Sequence, residues 1–362
     1  MTRSNVKISH FQVASLLAVS TIFTFTSRLP DMADHSMGRF ISLLICTVIL
    51  SALYTPLMLS ARKESAGFVA VNNSFFKWFF GSILIIRLLF TVVLTMLQLE
   101  FRITCTAMSY ISPVFYTAFV FLAVLYGSMK GLQATARVAP LVLVAYVFLI
   151  VAVSISAWDK VDVIRIYSPF SVGTDSIVKN AVMDVIRNDE LFFFAVLAGY
   201  VRGNGNRGQG YKSILYYLPF VTLVGLWLNF LYNAVLGRFI NSTACQMYTV
   251  SSFSSFNLLE RMDGLFISTA IFAGILKITL SFVCIRAILL HLLPKERAAK
   301  CTSAVLLGVI GVLVFFLYEK YDWLLNYWLG VALAASLVII ALILPICRGK
   351  SNEQSNEKTV NS

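Results

Sequence analysis

Four consecutive polar residues, Arg187-Asn188-Asp189-Glu190, interrupt a long apolar segment that resumes as Leu191-Phe192-Phe193-Phe194. A carboxylate at membrane depth must find a cation, a proton or a hydrogen-bond donor. Glu190 can therefore contact a ligand amine or gate a cavity, or it can hold a break in its own helix by hydrogen bonding. On an ideal helix Asp189 points about 100° away from Glu190, so only one of the two faces a cavity squarely. Two cations lie inside other apolar runs. Arg87 is too deep to snorkel and needs a polar partner, which can be Glu190, a ligand carboxylate or the carbonyls of a broken helix. Lys277 can replace a sodium ion as a fixed charge, because a buried lysine loses its proton readily, or it can form an ion pair that only stabilises packing. Thr91, Thr95 and Gln98 recur on one helical face, where they line a polar path or bond between helices.

The chain offers little else that is reactive. No nucleophile–base pair, phosphate-binding loop or zinc spacing stands out, and His10, His35 and His291 are scattered. No catalytic residue, metal or cofactor is expected, and the chain is not read as an enzyme.

Composition fixes the setting of these charges. The chain of 362 residues is 59% hydrophobic and 13% charged, whereas soluble domains carry about 25% charged residues. The formal charge of +12 would suggest nucleic acid in a soluble protein. Here the positive-inside rule and anionic headgroups account for it, and no nucleic-acid partner is expected. About ten runs reach membrane length. They are 8–28, 40–60, 78–99, 112–129, 138–157, 177–201, 213–236, 262–290, 302–318 and 323–346. The first lacks a small-residue cleavage site and reads as a retained span.

Basic residues concentrate in alternate loops, among them Lys7, Arg62, Lys63, Lys130, Arg137, Arg202, Lys212, Lys295 and Arg348. Both termini are therefore placed on the cytoplasmic side. Residues 1–347 form one polytopic transmembrane domain, and 348–362 form a polar tail expected to be disordered. The fold expected is all-α, with a LeuT-like five-plus-five inverted repeat whose helices 1 and 6 are broken. Arg187–Glu190 supplies the second break. Ser20-Thr21 and Thr24-Phe25-Thr26-Ser27 supply hydroxyls for the first, although these can also bond back to their own helix.

Several motifs follow one another along the chain. They are His10-Phe11-Gln12 with Leu29-Pro30, Glu100-Phe101-Arg102 with Ser112-Pro113, and Gly131-Leu132 with Arg137 and Pro140. Glu190 ahead of its aromatic run and Glu260-Arg261-Met262-Asp263 ahead of the eighth span complete the series. In order and spacing they resemble the B subunits of bacterial spore germinant receptors, also called endospore germination permeases, of the amino acid–polyamine–organocation superfamily. Glu260, Arg261 and Asp263, three charges in four residues, read as a structural or subunit-contacting anchor rather than a ligand site.

The chain also departs from that family. Phe23-Thr24-Phe25 stands where the family has a Gly-x-Gly break, Asn188 stands for a glycine ahead of the glutamate, and Ala270 stands for a tryptophan of span eight. Asparagine tolerates the left-handed geometry of a break better than most residues. Phe193 and its aromatic neighbours either pack or cap a pocket. The resemblance implies a small nutrient, such as an amino acid, bound among Phe23, Thr24, Phe25, Arg87, Thr91, Asn188, Asp189, Glu190, Phe193, Ala270 and Lys277. It also implies A and C subunits as partners and the spore inner membrane as location. The altered pocket implies a ligand unlike that of an alanine-type receptor, or no direct binding. A proton- or ion-coupled amino acid or amine transporter is the alternative.

Overall fold

The computed structural model describes residues 7–27, 38–62, 67–71, 73–104, 113–162, 174–201, 209–243, 245–253, 263–293 and 336–343, with residues 302, 305, 306, 308 and 309. The described residues are almost wholly helical, as the long apolar runs require. Backbone N–H and C=O groups in hydrocarbon must be satisfied within the segment. Helix α1 (His10–Thr26) starts from a capping box in which Ser9 and Gln12 bond reciprocally. Helices α2 (Gly38–Ser60), α3 (Ser74–Thr104), α4 (Pro113–Lys130) and α5 (Leu132–Ser156) follow. The sixth span is split into α6 (Thr174–Ile186) and α7 (Glu190–Leu197). Then come α8 (Gly210–Leu236), the short α9 (Gln246–Phe253) and α10 (Asp263–Leu292).

Five of these helices, α2, α3, α5, α8 and α10, are long and apolar enough to cross a membrane. Helices α1 and α4 are equally apolar but shorter. The expected spans 302–318 and 323–346, the tail 348–362 and the residues Glu260 and Arg261 lie wholly or largely outside the described residues. Helices α4 and α5 turn Phe115, Phe119, Leu122, Leu141, Val144 and Phe148 outward, all well exposed. Apolar surface of that extent faces lipid, and the chain is an integral membrane protein.

Packing centres on α1 and α10. Helix α1 touches α5, α8, α7 and α10, while α10 lies along α3, α4 and α5. At Gly274 a Cβ would sit 2.7 Å from Leu99 Cδ2, so the small residue lets α10 and α3 approach closely. At one end of the bundle the segment before α1 meets the end of the sixth span. Ile8 N donates to Tyr200 O at 3.0 Å, and Ile8 pairs with Val201 in an isolated bridge. The turn at Gly67–Ala70 packs beneath α7 at the same end.

One expectation about the breaks is corrected. Helix α1 runs unbroken through Phe23-Thr24-Phe25 to Thr26. Its hydroxyls bond back along the helix: Thr21 to Leu17 O, Thr24 to Ser20 O and Thr26 to Ile22 O, each at 3.0 Å. The stretch has no glycine to favour exposed backbone, and its hydroxyls are satisfied within the helix rather than at freed backbone groups. The sixth span does break, at Arg187–Asp189.

Of the three glycines with positive φ among the described residues, two hold it for different reasons. Gly131, φ +81°, makes the tight junction between α4 and α5, with open space where a Cβ would go. Gly67, φ +67°, would place a Cβ 2.2 Å from the Ala195 carbonyl oxygen. Gly131→Ala should therefore cost about 1–3 kcal/mol, because a ψ of −174° places this residue in a region essentially reserved for glycine. Gly67→Ala adds a collision with backbone to the same strain and should lower the melting temperature of the detergent-purified protein clearly further. Equal melting temperatures would contradict this placement of the Gly67 turn.

Candidate functional site

The break between α6 and α7 leaves carbonyls without helical partners above it and N–H groups without partners below it. Side chains from α1, α2, α3, α8 and α10 meet it. Arg87 of α3 donates from NH2 to Ile186 O at 2.6 Å, capping the end of α6, and the same nitrogen lies 2.9 Å from Asp189 Oδ1. Its guanidinium stands 5.0 Å over the Phe192 ring. Asn188 serves the start of α7: its Oδ1 accepts from Leu191 N at 3.3 Å and from the Tyr54 hydroxyl at 2.9 Å. Tyr217 of α8 closes this side, 3.4 Å from Asn188 Nδ2 and 2.9 Å from Thr21 Oγ1.

The charges converge on Lys277 of α10. Its Nζ donates to Thr24 Oγ1 at 2.7 Å and lies 3.4 Å from Asp189 Oδ2 and 3.7 Å from Glu190 Oε1. Glu190 Oε1 also accepts from Ser20 Oγ at 2.6 Å. Ser20 and Thr24 are one turn apart on α1, so one helix face serves both the anion and the cation. Arg87, Asp189, Glu190 and Lys277 are each at least nine-tenths buried. Two cations facing two carboxylates leave the set formally neutral. Removing one member would strand a charge in low dielectric, which costs about 3–5 kcal/mol.

Of the residues expected at the site, Thr24, Arg87, Asn188, Asp189, Glu190 and Lys277 come together here. Asp189 and Glu190 both face Lys277, which differs from the expected divergence. Asp189 is the N-cap of α7, and Lys277 Nζ stands between its carboxylate and that of Glu190. Arg87 pairs with Asp189 rather than with Glu190. Thr91 stands outside the network, donating to Arg87 O within its own helix, as Thr95 does to Thr91 O. Phe193 is fully buried packing, and Phe192 instead lies under the arginine. Ala270 is buried two turns from Lys277 on the same face of α10. Asp263 is the first residue of α10 and accepts from Gly264 N at 3.0 Å.

Phe23 faces a second polar cluster at the far end of α1. Arg102 of α3 donates to Thr26 O and, at 2.7 Å, to Ser27 Oγ, and so caps the C-terminus of α1. Its guanidinium lies 5.5 Å from both the Phe23 and Phe266 rings. The Tyr146 hydroxyl joins it through Thr26 Oγ1. Phe25 points elsewhere, into a narrow space beside Arg39. Ser20, read as a hydroxyl for a break in α1, instead donates to Glu190. Tyr54, Tyr217 and Tyr146 join these clusters although spacing did not identify them. Tyrosines are common in apolar spans, and only the fold selects these. Among the described residues, no group of three or more His, Cys, Asp or Glu side chains could hold a metal ion.

Comparison with solved structures identifies the architecture. The chain resembles a mutant form of the manganese transporter of Eremococcus coleocola, with TM-score 0.54 and 11% identity, over 95% of this chain and 80% of that one. The fold is that of a membrane transporter. A second mutant of the same transporter aligns with TM-score 0.49 and 11% identity, over 96% of this chain and 81% of that one. No protein-family model matches the chain, and no curated protein sequence matches it. Within this transporter fold, the charged break occupies the middle of the bundle between α1, α3 and α10.

The network predicts a compensating pair. Lys277→Met leaves two carboxylates facing each other and should cost about 3–5 kcal/mol. Adding Glu190→Gln should restore a large part of that loss, measured as melting temperature of the purified protein. Additive losses in the double variant would show that Lys277 and Glu190 do not interact.

Proposed function

We propose that the chain binds one small zwitterionic nutrient, an amino acid, at the α6–α7 break, and that it does so as the membrane subunit of a spore germinant receptor. The observation that carries the reading is the balanced set of two cations and two carboxylates around an unwound backbone. A zwitterion can exchange with such a set without adding net charge to the interior. Its ammonium would take the place of Lys277 at Glu190. Its carboxylate would meet Arg87, whose Nε and NH1 have no hydrogen-bond partner among the described residues. Displacing these contacts would let α1, α7 and α10 shift, and A and C subunits would sense the change. A ligand moves such an equilibrium only through its differential affinity for the two states. No covalent chemistry takes part. The order of motifs from His10 to Asp263 supports the receptor reading, and with it the spore inner membrane and cytoplasmic termini.

The second reading is a proton- or ion-coupled amino acid or amine transporter. The shared transporter fold favours it, as does Lys277, which lies within reach of two carboxylates and could pass a proton between them. Manganese, the cargo of the Eremococcus coleocola protein, fits neither reading. A divalent cation at Asp189 and Glu190 would meet Arg87 and Lys277 already in place, and like charges at that distance repel strongly in low dielectric.

Spores lacking this chain, in a strain without paralogues, should lose germination to at least one amino acid. Glu190→Gln at normal protein level should abolish the same response. An unchanged dose–response would reject Glu190 as a ligand or gating group. Labelled amino acid taken up by proteoliposomes of this chain alone would favour the transporter reading. Manganese uptake by the same proteoliposomes would contradict both.

A further inference from the structure

A groove with a volume of about 780 Å³ runs between α1, α5 and α8 on the side of the bundle. Small residues on α1 create it. Ala14, Ser15 and Ala18 present little side chain between α5 and α8, while Leu143, Val147 and Phe220 supply walls of hydrocarbon. Volumes of about 300–1,000 Å³ are usual for sites that take a small organic ligand. From His10 to Ala18 the groove follows α1 for about 12 Å. That approaches one leaflet of a hydrocarbon core about 30 Å thick. On the α5 wall Val144 and Phe148 are 68% and 73% exposed, so the groove opens sideways, toward lipid.

One end of the groove is basic. The three helices run in the same direction. His10 and then Phe25 of α1 meet Tyr216 and then Gly225 of α8. Ser154 and then Asp162, in and just beyond α5, bond Trp227 and then Ala234 of α8. The helix starts therefore share one end of the bundle, and each brings a cation that is not buried. Lys7 precedes α1, and Arg137 lies on α5 two turns before Val144 on the same face. Lys212 lies on α8 one turn before Tyr216. No Asp or Glu occurs in residues 1–30, 101–158 or 191–259, so none of the three helices supplies a counter-charge. The His10 and Tyr216 rings, stacked 5.9 Å apart, stand between this rim and the apolar groove, as aromatic residues do at headgroup level.

We propose that the groove binds one membrane phospholipid with an anionic headgroup. One acyl chain lies along Ala14 and Ala18, and the phosphate is held by Lys7, Arg137 and Lys212. The apolar walls accept the chain of any phospholipid, and the basic rim selects the anionic one. The inner wall of the groove is Tyr217, which is buried and whose hydroxyl meets Thr21 and Asn188 at the α6–α7 break. A seated chain therefore braces α1 and α8 against the break, whichever solute the break receives.

The full-length chain in nanodiscs of phosphatidylcholine, with or without phosphatidylglycerol, tests this. Native mass spectrometry of protein released from the mixed nanodiscs should show one retained phosphatidylglycerol and no retained phosphatidylcholine. Melting followed by tryptophan fluorescence should rise by about 2 °C when phosphatidylglycerol is present. Val144→Trp fills the groove from its exposed wall without entering the core. It should lose both the retained lipid and the shift, and melt like the parent in phosphatidylcholine alone. Arg137→Gln and Lys212→Gln should each weaken the preference for phosphatidylglycerol about five-fold. Equal retention of the two lipids would overturn the proposal and leave an ordinary lipid contact. A lipid and a shift kept by Val144→Trp would overturn it as well, placing the lipid elsewhere. A second copy of the chain found in place of the lipid would overturn it by assigning the groove to a dimer.

Discussion

A backbone that unwinds in hydrocarbon must have its freed groups satisfied by protein, and this constraint organises the centre of the molecule. Arg187–Asp189 is the unwound stretch. Arg87 reaches across from α3 to cap its carbonyl end, and the Asn188 side chain caps its N–H end. Each cap then needs a partner of its own. Asp189 balances Arg87, Lys277 balances Asp189 and Glu190, and Ser20 and Thr24 on α1 supply the remaining hydrogen bonds. The break therefore recruits charged and hydroxyl side chains from α1, α3 and α10. An α1 that unwound at Phe23 would lose the spacing that sets Ser20 opposite Glu190 and Thr24 opposite Lys277. Its continuity is thus part of the same arrangement.

Much of this was legible in the residues. Four polar residues inside an apolar segment could only be a break or an error of span assignment, and they proved to be a break. Lys277 and Arg87 were visible because cations at membrane depth are rare. What the residues could not convey was pairing. Arg87 was equally able to reach Glu190, and the choice of Asp189 follows from the turn that brings that carboxylate under α3. The expected break in α1 followed from the inverted-repeat plan and the hydroxyls of the span. This chain lacks glycines there, and Thr21, Thr24 and Thr26 bond back along a continuous helix. Arg39 and Arg102 lay near span ends, where arginines ordinarily snorkel, so their burial was invisible before the helices were assembled.

The transporter fold and the chemistry of the break bear on different questions. Architecture places the charged break among α1, α3 and α10 within the bundle. The nature of the solute depends on side chains, and at 11% identity those are this chain's own. Two fixed cations beside two carboxylates make the centre hostile to a metal dication and hospitable to a ligand carrying both signs.

The central claim is that Arg87 and its charge partners hold the unwound stretch in place. Amide hydrogen exchange across residues 184–194 tests it most directly, comparing the parent with Arg87→Gln in nanodiscs. Loss of the cap should accelerate exchange within this segment and on the facing turns of α10, while α2 and α8 away from the break keep their protection. Unchanged exchange at 184–194, or a uniform acceleration across every helix, would contradict the account.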